Sequence, residues 1–355
     1  MAEILTLRAL NRATLARQLL LERGRLSPVG VIERLVGMQA QWPSAPYVGI
    51  WTRTASFRRD ALERELARGT VVKATVMRQT LHLVTRRDYA LVRAAMSETN
   101  VPWETALAKR LAPVVRELAS SGPVRTADAL AELARHDLGG LTPARAWRFA
   151  RAAAHLAHHH ETALWQARPE GRFVALDEPA PHVPVEARAE MIRRYLAAFG
   201  PASRRDIGAW SMLHMPEIDA SLALLEPLLR FRDEKGRELL DVRRAPRPGA
   251  DVPAPVRFLP KWDNVLLGFA DRTRILPEEY RRTVIAANGD VAQTFLVDGL
   301  VAGRWTVDGG RVVVDPFAAL PRGAQREVEE EAARLEAFLA YAASTRRPHS
   351  SHTTA

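Results

Sequence analysis

The 355-residue sequence contains no cysteine. That absence excludes disulfides, thiolate nucleophiles, cysteine-ligated zinc and iron–sulfur clusters. With them go the helix-hairpin-helix repair enzymes that carry a cysteine-held cluster, and the deaminases that hold zinc through cysteine. No apolar run approaches the roughly 18 residues that a membrane span needs, so none is expected. The first residues, Met1-Ala2-Glu3-Ile4-Leu5-Thr6-Leu7-Arg8, lack the apolar stretch of a secretory leader, and a cytoplasmic, nucleoid-associated location is expected. Walker A, GxGxxG and GxSxG motifs are missing too, which leaves nucleotide hydrolysis, dinucleotide redox chemistry and α/β-hydrolase activity without support. Lysine is scarce, confined to Lys73, Lys109, Lys235 and Lys261.

Arginine is what the chain has in quantity. Lys and Arg number 51 against 41 Asp and Glu, a formal charge of +10. A basic surplus of this size points to an acidic partner, and nucleic acid is the commonest. The abundance of alanine alongside arginine is what GC-rich coding produces, yet the surplus charge must still sit somewhere. The apolar content of 47% is ordinary for a globular protein, and the length allows several domains.

Periodicity and turn chemistry predict a repeated order. Helical patterns over Ala9–Glu22, from Ser27-Pro28 to about Val36, and over Arg58–Ala67 precede two β-rich stretches, 71–76 and 80–85, and a further helix opens at Arg86. A similar order recurs with helices over Thr126–His136 and from Thr142-Pro143 to about His158, then strands Thr162–Ala167 and Arg172–Leu176. It recurs again with helices Glu186–Phe199, Ser203–Leu213 and Pro216–Leu229, then strands 229–233 and 238–242. Three helices and a hairpin make the winged-helix pattern. After a Pro/Gly/Arg-rich linker at 243–255, six short apolar segments (256–259, 264–269, 284–287, 291–297, 301–307 and 311–314) follow. Asn288-Gly289, Asp298-Gly299 and Asp308-Gly309 separate the later ones and are hairpin turns by composition. The expectation is an α+β protein of three tandem winged-helix units (1–100, 101–183, 184–245) followed by a small antiparallel β-barrel and a C-terminal helix (246–345). In that helix Glu327, Glu329, Glu330 and Glu331 form the charged face, while Leu335, Phe338 and Leu339 face inward.

The chemistry-bearing residues are few. Gln39 and Gln41 flank Ala40 just before Pro43, and in an extended segment both amides fall on one side. Each offers two donors and an acceptor oxygen, enough to orient a water or steady a developing cation, though not to act as a base. From spacing alone, two loop glutamines capping a helix end are the plainer reading. His82 lies mid-strand, where a backbone-bonded structural role competes with a place in a groove. His155, His158, His159 and His160 read as residues at a helix C-terminus favoured by its dipole, not as a metal site. No metal or cofactor is expected. The doublets Arg86-Arg87, Arg193-Arg194, Arg204-Arg205, Arg243-Arg244 and Arg281-Arg282 can together line a phosphate-tracking groove. Asp263 and Asp271 are candidate acids or bases, with turn and salt-bridge roles around Lys261 and Arg272 as the plainer reading.

Three segments carry a family resemblance. They are Leu35-Val36-Gly37-Met38-Gln39-Ala40-Gln41, Arg78-Gln79-Thr80-Leu81-His82-Leu83-Val84, and Leu259-Pro260-Lys261-Trp262-Asp263 with Leu267-Gly268-Phe269-Ala270-Asp271-Arg272. The first resembles the Gln-apolar-Gln motif of AlkZ-type DNA glycosylases, bacterial proteins of tandem winged helices, and the likeness runs from about Leu5 to Ala342. It implies a C-shaped monomer holding double-stranded DNA in a basic channel. It also implies monofunctional excision of N7-alkylated purines, interstrand crosslinks included, with Gln39 and Gln41 as the catalytic pair. Glutamine at the second position favours the narrower branch tied to self-resistance in antibiotic producers over the Gln-apolar-Asp branch. Arg78, His82, Arg86, Arg87, Arg204, Arg205, Arg281, Arg282 and Asn288 are the expected DNA contacts. Asn288 is placed there as the tip of a lesion-probing hairpin over Thr283–Val297. The alternative function is a non-enzymatic winged-helix regulator that reads DNA without cutting it.

Overall fold

The computed structural model describes residues 3–99, 105–166, 170–177 and 183–344. The polar tail from Thr345 and the Pro169 end of an expected turn lie outside them. Local capping sets most helix starts. Thr6, Ser27, Thr85, Thr105, Thr142 and Ser203 are extended and each accepts a hydrogen bond from the backbone N–H three residues on. Pro28 and Pro143 stand at the start of their helices, where a missing N–H costs nothing.

The protein is α+β, with three sheets among the described residues. A six-stranded sheet runs in the order Met38–Gln39, Leu81–Thr85, Val71–Thr75, Leu156–His158, Arg172–Ala175, Val124–Arg125. Its middle joint, Ala74 against Ala157, links the hairpin of the first hundred residues to the hairpin that follows. In the second sheet, Ile4–Leu5 pairs in parallel with Leu229–Asp233, whose other neighbour is Glu238–Asp241. The third is an antiparallel ladder of Arg257–Leu259, Thr294–Val297, Leu300–Asp308 and Arg311–Pro316. Helix Arg86–Met96 packs on helix Pro184–Phe199, and one core runs from Val36 and Val84 through Tyr89 and Tyr195 to Leu240.

Several expectations are corrected. Among the described residues the C-terminal sheet is open. Of the six expected segments, 264–269 holds the short helix Asn264–Leu267 instead, and 284–287 only follows the end of helix Arg281–Val284 with a single bridge at Ile285 and a turn. Asp263 redirects the first of these segments, because its carboxylate caps the turn by accepting from the Val265 N–H at 3.1 Å. Four strands are too few to close a barrel. The edge strands Arg257–Leu259 and Arg311–Pro316 are covered by helix Ala324–Ser344, which packs on both. On that helix Leu335 and Phe338 are buried as expected, but so is Glu331, which meets Arg23 and Arg334.

The histidine cluster does not sit on a helix. The helix stops at Ala153, His155 takes a left-handed conformation (φ 55°), and His158 ends a strand. The expected strand from Thr162 begins instead at Leu156, and His160–Thr162 is a single 3-10 turn. The stretch after Pro43, read as loop, contains helix Ala45–Trp51. All seven of its residues are buried, so no amphipathic period advertised it.

Arginine was expected on the surface, and much of it is inside. Arg17 and Arg53 are fully buried in two-pronged pairs with Asp241 and Asp263, and Arg12, Arg188, Arg257 and Arg274 are also buried. A helix from Leu7 to Arg17 that buries Asn11, Arg12, Thr14 and Arg17 beside Leu10, Ala13 and Leu15 cannot be read from apolar spacing alone.

Candidate active site

Gln39 is positioned by the turn before it. Val36 and Gly37 both take positive φ, 55° and 93°, and reverse the chain so that Met38–Gln39 lies along strand Leu81–Thr85. At Gly37 a Cβ would stand 2.9 Å from Val84 Cγ1, so only glycine fits. Asn264 locks the same turn by donating to the carbonyl of Gly37 at 2.8 Å. The Ala40 N–H donates to the Leu81 carbonyl at 2.7 Å. Backbone pairing thus carries the extended path up to Gln41, and the two amides do share a side. Gln39 Nε2 donates to Gln41 Oε1. Gln39 is 7% exposed, whereas Gln41 and its neighbour Trp42 are open to solvent.

Behind Gln39 stands Arg78. Its Nη2 donates to Gln39 Oε1 at 3.2 Å and to His82 Nε2 at 3.1 Å, and its Nη1 donates to the Trp210 carbonyl at 3.1 Å. Arg78 and Gln79 both adopt left-handed backbone (φ 53° and 57°), a sparsely populated conformation that costs on the order of 1 kcal/mol or more per residue. His82 is 1% exposed, and its Nδ1 lies 3.0 Å from the Thr80 carbonyl, so Nδ1 carries the proton and Nε2 accepts. Burial, reinforced by the Arg78 charge, pushes the imidazole down to about 3. Burial and the nearby Arg272 lower Arg78 to about 10, which leaves it charged at neutral pH. Gln39, Gln41, Arg78 and His82, drawn from two separate sequence segments, are thus one hydrogen-bonded group. Within it Arg78 is engaged by protein on three sides and is not a free surface cation.

The remaining expected contacts are dispersed. Arg204, Arg205 and Arg281 line one cleft of about 750 Å³ together with Lys235, Arg237 and Arg272. Arg204 pairs there with Asp219 at 2.9 Å and Arg281 with Glu278 at 3.3 Å, while the Arg272 Nε is buried without a hydrogen-bond partner. Asp271, on the same wall, pairs with Arg237 and accepts from Thr273, and those bonds hold its carboxyl low against the effect of burial. Arg86 pairs with Asp177, and Arg87 with Glu33 and Asp88, well away from that cleft in sequence and in partners. Arg282 is exposed.

Asn288 tops a tight turn in which its Oδ1 accepts from the Asp290 N–H at 3.0 Å, but the flanking hairpin is reduced to one bridge, Ile285 to Val291. That turn is tied down by Lys261, which pairs with Asp290 at 2.8 Å, and by Trp262 Nε1, which donates to the Gly289 carbonyl at 3.0 Å. Lys261 Nζ also stands 5.5 Å from the Trp42 ring centre, so the turn sits beside the residue that follows Gln41.

Sequence reasoning missed Trp42, Arg272 and the Trp210 carbonyl. Trp42 adjoins the motif and Arg272 ends another quoted segment, but nothing in the chain order marks Trp210. Asp263 and Asp271 take the salt-bridge roles expected, with different partners: Arg53 for Asp263, Arg237 and Lys235 for Asp271. Among the described residues no cluster of three metal-ligating side chains occurs, and no helix is long and apolar enough to cross a membrane.

Three histidines, His82 buried and His155 and His158 half-buried, make stability pH-dependent. Burial holds His82 to about 3, His155 to about 4 and His158 well below its usual value. Unfolded, each binds a proton near pH 6.5 that the folded form refuses, so the unfolded state is favoured as pH falls from about 6.5 toward 4. Each histidine contributes a slope of up to about 1.4 kcal/mol per pH unit. The urea midpoint is expected to be clearly lower at pH 5 than at pH 7, and equal midpoints would contradict the buried neutral state.

The chain matches the family described as DNA glycosylase AlkZ-like over residues 32–338. An interstrand DNA cross-link repair glycosylase of Streptomyces sahachiroi is 28% identical over 349 residues, covering 90% of this chain and 92% of that protein. The solved structure of the Streptomyces sahachiroi DNA glycosylase AlkZ superposes with a TM-score of 0.77 at 22% identity, over 96% of this chain and 97% of that one. That likeness establishes the shared α+β fold.

Proposed function

Because the chain belongs to the DNA glycosylase AlkZ-like family, we propose that it hydrolyses the N-glycosidic bond of N7-alkylated purines in duplex DNA, bulky adducts and interstrand crosslinks among them. The observation that carries the reading is the Gln39–Gln41 pair, bonded to each other, anchored from behind by Arg78 and open to solvent at Gln41.

The chemistry fits neutral amides. A purine alkylated at N7 is already cationic and leaves without protonation. What remains is to place one water and to stabilise an oxocarbenium-like sugar, which is a task of positioning. An amide oxygen can hold the water and turn a dipole toward the sugar. The crosslink repair named for the Streptomyces relative adds a constraint. A purine tied to the opposite strand cannot swing freely into a closed pocket. An exposed Gln41 meets the sugar at the duplex surface.

We read the three helix-and-hairpin blocks as winged helices and the arginine cleft as a stretch of the DNA path. Helix Arg204–Ser211 connects the two regions, since Arg204 lines the cleft and the Trp210 carbonyl holds Arg78. Its eight residues span about 12 Å. The cleft therefore lies within a few nucleotides of the amide pair. Arg205→Ala is expected to lower the slope of log affinity against log salt by about one and to weaken duplex binding irrespective of sequence. Titration of an undamaged duplex at several salt concentrations measures it, and an unchanged slope removes Arg205 from the DNA path.

The function itself is tested by incubating the protein with duplexes bearing N7-methylguanine or a nitrogen-mustard crosslink and counting abasic sites. An enzyme of this kind releases the base and, for the crosslink, frees the strands. A winged-helix regulator binds the same duplexes and releases nothing. We place the activity in alkylation repair or self-resistance, in a monomer acting on chromosomal DNA.

A further inference from the structure

The wiring around Gln39 has a direction. A guanidinium can only donate, so Arg78 commits Gln39 Oε1 to accepting. Gln39 Nε2 must then face Gln41, whose oxygen accepts in turn. Gln41 is left at the surface with both amide N–H groups and one oxygen lone pair unused by the described residues. His82 closes the other end of the network. Its Nδ1 proton goes to the Thr80 carbonyl and its Nε2 only accepts, so it cannot compete with Arg78 as a donor to Gln39. Without Arg78, the Gln39 amide has no charged partner to choose between its two flip states. The pair could then run Gln39-to-Gln41 or the reverse.

Two further features mark the arrangement as built. Arg78 and Gln79 hold consecutive left-handed backbone conformations at non-glycine positions, and these are what turn the Arg78 side chain under Gln39. The third anchor, the Trp210 carbonyl, comes from the C-terminal end of a helix, where the dipole is negative and suits a cation.

We propose that Arg78 is a positioning residue for base excision, which fixes the polarity of the Gln39–Gln41 pair so that Gln41 meets the substrate with its N–H donors and one oxygen lone pair outward, and which does so without touching DNA. The proposal rests on the reading of the two glutamines as catalytic. It reassigns Arg78 from the phosphate contacts to the support of the site.

His82 does not take over from Arg78. His82 is the cross-strand register partner of Gln39, with Ala74 opposite it on the other side. The charged groups bearing on this site are Arg78, which acts on His82, and Arg272, which acts on Arg78. Burial, the larger cause of its low basicity, keeps His82 neutral when Arg78 is replaced, so it does not become a donor in place of Arg78.

Arg78→Met and Arg78→Lys are compared with the wild-type protein by single-turnover base release from an N7-methylguanine duplex and by binding to the undamaged duplex. Arg78→Met is expected to lose about 10- to 100-fold in rate at pH 7.5, a loss of the size that misplaced catalytic groups produce, with duplex affinity within about twofold of wild type. Arg78→Lys keeps a charged donor and should recover most of the rate. A wild-type rate in Arg78→Met or an affinity loss as large as the rate loss overturns the proposal. If Arg78→Met fails to fold, Arg78→Gln replaces the committed donor with a reversible one and is held to the same outcomes. A readout independent of turnover separates this proposal from the glycosylase reading. The Gln39 side-chain amide NMR signals, identified by their loss in Gln39→Ala, should be single in wild type and doubled or broadened when Arg78 is replaced. Unchanged signals sink the role of Arg78 even in an active enzyme, whereas a wild-type protein that releases no base faults the reading of the glutamines themselves.

Discussion

Gln41→Ala is expected to slow base release from an N7-methylguanine duplex by about 100-fold or more, the loss typical of deleting one preorganised polar group at a reacting centre, while duplex affinity stays within about threefold. The asymmetry follows from the geometry. Gln41 is exposed and its only protein bond among the described residues is the one from Gln39, so truncation removes the group that meets the substrate and disturbs little else. Gln39→Ala should lose as much activity, with an added cost in stability. Its amide is buried, and removing it leaves the Arg78 fork one acceptor short, worth roughly 1–3 kcal/mol for a buried unpaired donor. Rates measured with enzyme in excess over lesion, with melting followed in parallel, separate the two effects. If either alanine variant keeps the wild-type rate, that glutamine has no part in the chemistry.

The second large effect is on folding. Arg53 and Asp263 form a two-pronged pair at 2.7 and 2.8 Å, with both side chains essentially inaccessible. Arg53 follows helix Ala45–Trp51, and Asp263 caps the turn whose Asn264 holds the Gly37 carbonyl. The pair therefore joins the amino-terminal region to the carboxy-terminal one directly behind the glutamine segment. Removing one partner strands a buried charge, and Asp263→Ala or Arg53→Ala should each cost about 3–5 kcal/mol. The double replacement Arg53→Ala with Asp263→Ala should cost far less than the sum, because no charge is left unpaired. Urea unfolding of the four proteins measures both terms. Additive losses in the double variant would show that the two residues act separately. An Asp263 that served as a catalytic acid would show the opposite pattern, a stable fold with lost activity.

Particular elements show how far the chain order could be read. The caps at Ser27 and Thr142 and the strands of residues 71–85 were legible because hydroxyl caps, helix-start prolines and β-branched runs act over three to six residues. The amide pair was legible for the same reason, being a feature of one extended segment. Helix Ala45–Trp51 was hidden by complete burial, which removes the period that marks a surface helix. The expected strand at 264–269 was lost at Asp263, whose carboxylate starts a helix there by accepting from the amide two residues on. The histidines were assigned to a helix that ends at Ala153, since nothing local announces the left-handed turn at His155.

Charge was the least readable property of all. A surplus of arginine identifies an acidic partner only if the arginines are free. Here Arg17, Arg53 and Arg78 are absorbed by Asp241, Asp263 and a set of carbonyl, amide and imidazole acceptors, and which arginines remain for DNA depends on contacts between residues more than a hundred positions apart. Short-range chemistry, written in the order of residues, is enough to specify caps, turns and the side that two nearby glutamines share. The company those glutamines keep is another matter. Arg78 meets Gln39, His82 and the Trp210 carbonyl only once three stretches of chain have packed together, because a hydrogen bond depends on distance in space and leaves no trace in spacing along the sequence.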